Sequence, residues 1–247
     1  MLAIEDWFRR LYDASGINFT YIYDGYDRAR FVAGVLLTLE LAAICIVASI
    51  AIGIIGAALH GSRFRITNAL IRGYVALFRN TPPLVQLFFF FFVLGGLFTF
   101  PTSRGVFQFS NFTWAAISLS VYYGSFNIEN FRAGVESVPR TTVQAAEALG
   151  YRKGQIYLYV ILPLALRFSL PALGNTTVSL VKATSLAYTI AVPEVLYVSS
   201  EIWSDQLNVP EMMVTIMIFY VSLVSILVFA SHKLEKRLRI PGYSAGR

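Results

Sequence analysis

The sequence predicts an all-α protein built into a lipid bilayer. Three observations carry that prediction: a composition too apolar for a soluble core, five apolar segments of bilayer-crossing length, and the absence of strand-like alternation. Hydrophobic residues make up 56% of the 247 and charged residues only 14%; a soluble domain has about 45–50% and about 25%. In hydrocarbon only structures that satisfy their own backbone bonds persist, so the segments should be helices. A β-barrel would need period-two alternation, which is missing. The net charge of +6 comes from residues scattered along the chain. No single basic stripe forms, which argues against nucleic-acid binding and fits the marking of cytoplasmic loops. The one cysteine, Cys45, has no intrachain partner and leaves the redox compartment unread. No CxxC or His/Cys cluster suggests a metal, and His60 and His232 both sit at the ends of apolar segments.

Residues 1–30 are expected to form a periplasmic N-terminal segment. Glu5, Asp6, Arg9, Arg10 and Asp13 interrupt any signal-peptide core. Trp7, Phe8, Leu11 and Tyr12 fall on one helical face, the pattern of a short interfacial helix, with a disordered tail as the alternative. A spanning helix needs about 20 mostly apolar residues. The expected spans are residues 31–59, 67–99, 112–136, 161–184 and 211–231, within a permease domain of 31–231 and ahead of a cytoplasmic tail at 232–247. The second is interrupted by Arg72, Arg79 and Asn80-Thr81-Pro82-Pro83; the fourth contains Pro163 and Pro171. No inverted repeat of the secondary-transporter kind is visible.

Lys and Arg in short loops set the orientation. Arg63 and Arg65 follow the first span, Arg140, Arg152 and Lys153 the third, and Lys233, Lys236, Arg237, Arg239 and Arg247 the fifth. The loop after the second span has only Arg104, and residues 185–210 have no basic residue, with Glu194, Glu201 and Asp205 instead. The N-terminus is therefore expected outside and the C-terminus in the cytoplasm. Arg9, Arg10, Arg28 and Arg30 run against this rule, balanced by Glu5, Asp6, Asp13, Asp24 and Asp27.

That orientation puts residues 137–160 in the cytoplasm. Ser137, Pro139 and Thr142 offer helix-start chemistry, Gln144 through Leu149 favour helix, and Gly150 is a natural stop. A second helix over 152–162 should lead back to the membrane, where Pro163 begins the next span. Small Ala145 and Ala146 would let a partner approach closely. From the residues alone this is either an amphipathic connector or a docking element.

Ionisable residues inside spans are costly and mark interiors or pathways. Arg79 is placed in the middle of the second span, Glu129 in the inner part of the third, Glu40 in the outer half of the first and Lys182 near the outer end of the fourth. Pro82 and Pro83 remove backbone donors, and a broken helix at membrane depth belongs against protein or a water cavity. Arg79, Asn80, Thr81, Pro82, Pro83 and Gln86 are thus candidates for a pathway wall, with Glu129 and Lys182 as further charges. The alternative is a helix kink with Arg79 paired to Glu129, and for Arg132 and Lys182 a structural ion pair or snorkelling.

Gln144-Ala145-Ala146, Gly150 and Val160-Ile161-Leu162-Pro163 resemble the EAA signature of ABC importer permeases, E-A-A-x3-G-x9-I-x-L-P, with Gln144 where Glu is usual and Val160 where Ile is usual. Leu77 through Gln86, Glu129 through Gly134, Leu170 through Asn175 and Leu180 through Leu186 resemble further segments of the polar-amino-acid subfamily. The likeness covers residues 31–200. It implies a type I importer permease fold of five spans in the bacterial inner membrane. It also implies a second permease subunit, identical or paralogous, a cytoplasmic ATPase dimer that hydrolyses the ATP, and an outer solute-binding protein. Gln144, Ala145, Ala146, Glu147 and Gly150 then belong to the coupling helix read by the ATPase, and the implied cargo is an acidic or other polar amino acid, with basic amino acids and opines open. The chain has no Walker motif, so no nucleotide cofactor is expected on it. No expected span contains Asp and no His lies in mid-span, which disfavours an intramembrane hydrolase; a stand-alone channel or receptor would not need the EAA-like loop.

Overall fold

The computed structural model describes residues 2–60, 64–102 and 105–238, and it is almost wholly helical. Arg63, Arg104, Arg239 and Arg247, and the tail beyond Leu238, lie outside the described residues. Helix α1 (Leu2–Ser15) is amphipathic: Phe8 and Leu11 are half-buried while Trp7 and Tyr12 remain exposed. A short α2 (Thr20–Tyr23) leads into α3 (Gly25–His60). At 36 residues α3 is about 54 Å long, beyond the about 30 Å of the hydrocarbon layer.

The expected second span is not one rod. Helix α4 (Arg65–Arg79) ends at the Asn80–Pro82 break, and α5 (Pro83–Phe88) starts on a proline, whose missing N–H costs nothing at the first helical position. A π-helical turn at Phe89–Leu94 and α6 (Gly95–Leu97) complete it. A two-stranded hairpin, β1 (Phe100–Thr102) against β2 (Gly105–Phe107), pairs Phe100 with Phe107, and their rings stack.

Helix α7 (Asn111–Glu136) coincides with the third expected span, α8 (Arg140–Ala148) forms the loop helix, and α9 (Lys153–Ile156) begins the return. Pro163 does not start a new helix, as the sequence suggested. Instead α9 passes through a π turn (Tyr157–Ile161) into α10 (Leu162–Ala183) and a 3-10 turn (Thr184–Ile190), one helical run of 38 residues. The π turn is where the chain absorbs a proline without N–H. A capped helix α11 (Val195–Gln206), which the sequence left as loop, precedes α12 (Val209–Leu238).

Three of these helical runs, Gly25–His60, Lys153–Ile190 and Val209–Leu238, are long and apolar enough to cross a membrane, and the bent pair of α4 with Pro83–Leu97 makes a fourth if counted together. Helix α7 has the length but more polar residues; its Ser118, Ser120, Ser125 and Asn127 are buried inside the protein, so apolarity is not required of it.

The chain divides into two compact units. The first gathers the chain up to Cys45, Leu84–Leu119 and Val181–Val224. Its core packs Val198, Ile202 and Met212 against Tyr21, Phe31 and Trp203. Here Arg28 pairs with Glu5 at 2.5 Å, and Arg30 with Asp205 at 3.0 Å, Glu201 at 3.1 Å and Asp27 at 3.6 Å. The N-terminal arginines that ran against the orientation rule are therefore in part neutralised by acids distant in sequence. The second unit gathers Ile46–Pro83, Ser120–Leu180 and the chain from Ser225. Its helices approach closely over small residues: Gly53 lies against Asn127 and Phe131, Gly56 against Ile128, and Gly134 against Ala165 and Ser169.

Candidate functional site

The loop helix α8 is stopped by geometry rather than by a change in polarity. Gly150 takes φ +84°, which a side chain rarely tolerates. Its N–H donates to Glu147 O at 2.9 Å and the Tyr151 N–H to Ala146 O at 3.2 Å. These two bonds are the Schellman arrangement, and they satisfy carbonyls that the helix end would leave open. At the other end Pro139 occupies the cap position, where it has no side-chain cap to offer; the Ser137 hydroxyl does not reach the helix start but donates back to Ala133 O at 2.7 Å. Gln144, Ala145, Glu147 and Gly150 are exposed, as are Ala148 and Leu149, the last at 78%. Ala146 is buried in the chain, so the small surface offered outward is Ala145 with Ala148. The Gln144 side chain makes no hydrogen bond among the described residues.

The second group of predicted residues gathers at the break after α4. Arg79 is the last residue of that helix, at the bend between α4 and α5. The end of α4 leaves its last carbonyls without helical partners, and side chains reach back to two of them: Asn80 Nδ2 donates to Ala76 O at 2.7 Å and Thr81 Oγ1 to Leu77 O at 2.8 Å. The Arg79 guanidinium lies 5.2 Å above the Phe126 ring and 3.8 Å from Glu129 Oε2. Glu129 is held more tightly by Arg132, whose Nη2 donates to Oε2 at 2.7 Å, and Arg132 also pairs with Glu136. The Arg79–Glu129 contact is thus the looser branch of a small network. Arg79, Asn80 and Pro82 are exposed and Thr81 is half-buried, whereas Gln86 is buried within α5.

Beside Phe126 the second unit holds a cavity of about 310 Å³ lined by Tyr122, Tyr123, Phe126, Asn175, Thr176 and Ser179. Ligand pockets start at about 300 Å³, so this one suits a small molecule. Its walls are fixed: the Tyr123 hydroxyl donates to Ser179 O at 2.9 Å, and Asn130 Nδ2 donates to Thr176 Oγ1 at 2.8 Å. The aromatic lining was missed in the sequence because Tyr and Phe at helical spacing look like core; Asn175 was the signal available, as part of the Leu170–Asn175 segment. On α10 the exposed residues Asn175, Ser179 and Lys182 follow at helical spacing along one face, and Lys182 forms no ion pair among the described residues. No group of metal-ligating side chains is gathered among the described residues.

Long apolar helices, an exposed helix with a fixed end between two of them and an aromatic cavity with a few polar groups define the class: an integral membrane permease. Residues 49–240 match the model of the binding-protein-dependent transport system inner membrane component family, and the chain belongs to that family. It is similar to the histidine/lysine/arginine/ornithine transport system permease protein HisQ of Escherichia coli (strain K12), 33% identical over 166 residues, 66% of this chain and 73% of the relative. It is also similar to the probable glutamine ABC transporter permease protein GlnM of Bacillus subtilis (strain 168), 28% identical over 90% of this chain and 98% of the relative. The crystal structure of an amino acid ABC transporter with histidines has the same fold: TM-score 0.76 at 23% identity, covering 85% of this chain and 94% of that one. Members of the family are inner-membrane transport components rather than enzymes, and work with an ATPase and a binding protein.

Proposed function

We propose that this chain is the transmembrane permease subunit of an ATP-driven, binding-protein-dependent importer of polar amino acids. It pairs with a second permease subunit, takes cargo from a solute-binding protein and is driven by a cytoplasmic ATPase dimer. The observation that carries this reading is α8: an exposed helix with a fixed Schellman end between two membrane helices, in a chain of the transport family. A helix stopped this rigidly transmits a push as a body, which is what coupling to a closing ATPase requires. Gln144, Ala145, Glu147 and Gly150 form its docking surface, with Ala146 holding it to the rest of the chain. The chain crosses five times, with its N-terminus outside and its C-terminus in the cytoplasm.

An acidic or other polar amino acid is the favoured cargo. The cavity offers hydroxyl and amide groups at Tyr122, Asn175 and Thr176, and Arg79 over Phe126 supplies a cation for a carboxylate. Basic amino acids form the second reading, because the HisQ relative is named for histidine, lysine, arginine and ornithine. The test is a ligand screen on the cognate binding protein, followed by uptake into proteoliposomes holding the permease and its ATPase. Binding-protein- and ATP-dependent uptake of an acidic or polar neutral amino acid is expected. Uptake that ignores ATP and binding protein would refute the importer reading, and uptake confined to basic amino acids would move the cargo to the second.

A further inference from the structure

Two opposite charges in the membrane helices have no counter-charge among the described residues of the chain. Glu40 on α3 and Lys182 on α10 are both exposed, and neither side chain forms an ion pair or hydrogen bond among the described residues. Glu40 is flanked by exposed Leu36, Leu39, Ile44 and Val47, so its surroundings are apolar rather than watery. An ionised carboxylate on such a face is unfavourable unless another group meets it. Among the described residues of its own unit, Arg28 and Arg30 already hold acids and Arg9 and Arg10 stand on α1, which leaves Lys182.

The two charges sit at one depth. Helices α3 and α7 run parallel, since Ser49 meets Asn127 and Gly53 meets Phe131. Helices α7 and α10 run antiparallel, since Tyr123 meets Ser179 and Gly134 meets Ala165. So α3 and α10 run in opposite directions. They are tied at one level through a buried polar centre. The Val195 N–H donates to Thr38 Oγ1 at 2.9 Å, the neighbouring Glu194 accepts from the Tyr220 hydroxyl at 3.4 Å, and Tyr220 also reaches the Thr184 hydroxyl. Glu40 lies two residues after Thr38 and Lys182 two before Thr184, so each is displaced about 3 Å to the same side of that level. Two helical residues also turn the side chain by about 200°. Thr38 and Thr184 are buried, so Glu40 and Lys182 both project away from the centre.

We propose that Glu40 of one copy pairs with Lys182 of a second copy, the pair occurring twice across a two-fold axis. An isologous interface makes every contact reciprocal, and equal depth is the condition that a two-fold along the membrane normal imposes on such a pair. The occupant of this face of α3 is thus a second copy of the chain. The inference rests on the permease-dimer reading and adds the residues that set its register.

The test uses the full-length chain without its native thiol, Cys45→Ala. Differently tagged Glu40→Cys and Lys182→Cys copies, coexpressed with the ATPase, are treated in membranes with a short bifunctional methanethiosulfonate. A linked pair carrying both tags is expected; both copies present in the membrane but never linked would overturn the proposal. Independently, Glu40→Lys and Lys182→Glu should each lower uptake about tenfold or more, and the double reversal E40K/K182E should recover most of it. A double reversal no better than the singles would also overturn the pairing, as expected if Lys182 meets cargo instead. Uptake by the unsubstituted complex separates the two levels. If it is ATP-driven and no link forms, only the pairing fails; if it is not ATP-driven, the importer reading fails whatever the link shows.

Discussion

Gly134 closes the approach of α7 to α10 just before the chain enters the loop helix. A Cβ there would lie 2.0 Å from Ser169 Oγ and 2.5 Å from Ala165 O, so Gly134→Ala must push the helices apart. Overpacking of this kind costs about 1–3 kcal/mol. It would also disturb the Ser169 hydroxyl, which bonds Ala165 O at 2.8 Å and Asn130 O at 3.1 Å, for about 1 kcal/mol more. With about 2–4 °C per kcal/mol in a chain of this size, the purified protein should unfold roughly 5–10 °C lower. The assay is thermal unfolding in detergent followed by tryptophan fluorescence, with Gly73→Ala as control. Nothing lies within 4 Å of a Cβ on Gly73, and a helix-interior alanine should gain about 0.5–1 kcal/mol over glycine. If Gly134→Ala unfolds no lower than Gly73→Ala, the close α7–α10 packing is wrong.

Three further outcomes are expected. Arg79→Gln should raise the cargo concentration needed for half-maximal uptake and leave folding nearly unchanged, because a half-exposed pair such as Arg79–Glu129 contributes only about 0–1 kcal/mol; a matching fall in folded yield and basal ATP hydrolysis would make Arg79 structural. Glu194 caps α11 by accepting from the Leu196 and Tyr197 N–H groups, yet it is fully buried, and burial pushes its carboxyl up to about 7. With the folded value above the unfolded one, stability should be full below about pH 4.5 and fall as pH rises toward 7, by about 3 kcal/mol in all; Glu194→Gln should flatten this dependence, and an unchanged slope would count against it. In a Cys45→Ala background, a cysteine at Asp205 should react with a membrane-impermeant thiol reagent from outside and one at Lys153 or Lys236 should not; outside labelling of Lys153 would reverse the orientation.

The first, fourth and fifth expected spans were legible as long apolar helices because bilayer thickness turns composition into length, and the loop helix because Gly150 at its end permits a backbone that other residues resist. Less was legible where distant residues decide. The pairing of Arg28 with Glu5 and of Arg30 with Asp205 spans loops that a charge count treats separately. The run of helix through Pro163 depends on a π turn that no short pattern announces. Helix α11 was hidden because its cap, Glu194, reads as an acidic loop residue until its carboxylate is seen on the helix N–H groups. Of the pathway candidates, Arg79 and Glu129 are brought together within the second unit, and Gln86 is buried in α5 of the first. Tyr122, Tyr123 and Phe126 became a cavity wall only once α10 was placed against α7.

Coupling through α8 is tested most directly by Gly150→Val, assayed in proteoliposomes with the ATPase and the loaded binding protein. A β-branched residue forced to φ +84° opposes the left-handed turn by about 1–2 kcal/mol, enough to shift the helix end while the membrane helices remain inserted. ATP hydrolysis and amino-acid uptake are measured on the same vesicles. Hydrolysis that no longer responds to the loaded binding protein, with uptake largely lost and insertion intact, is the predicted result; normal stimulated hydrolysis with normal uptake would contradict the coupling role of this loop.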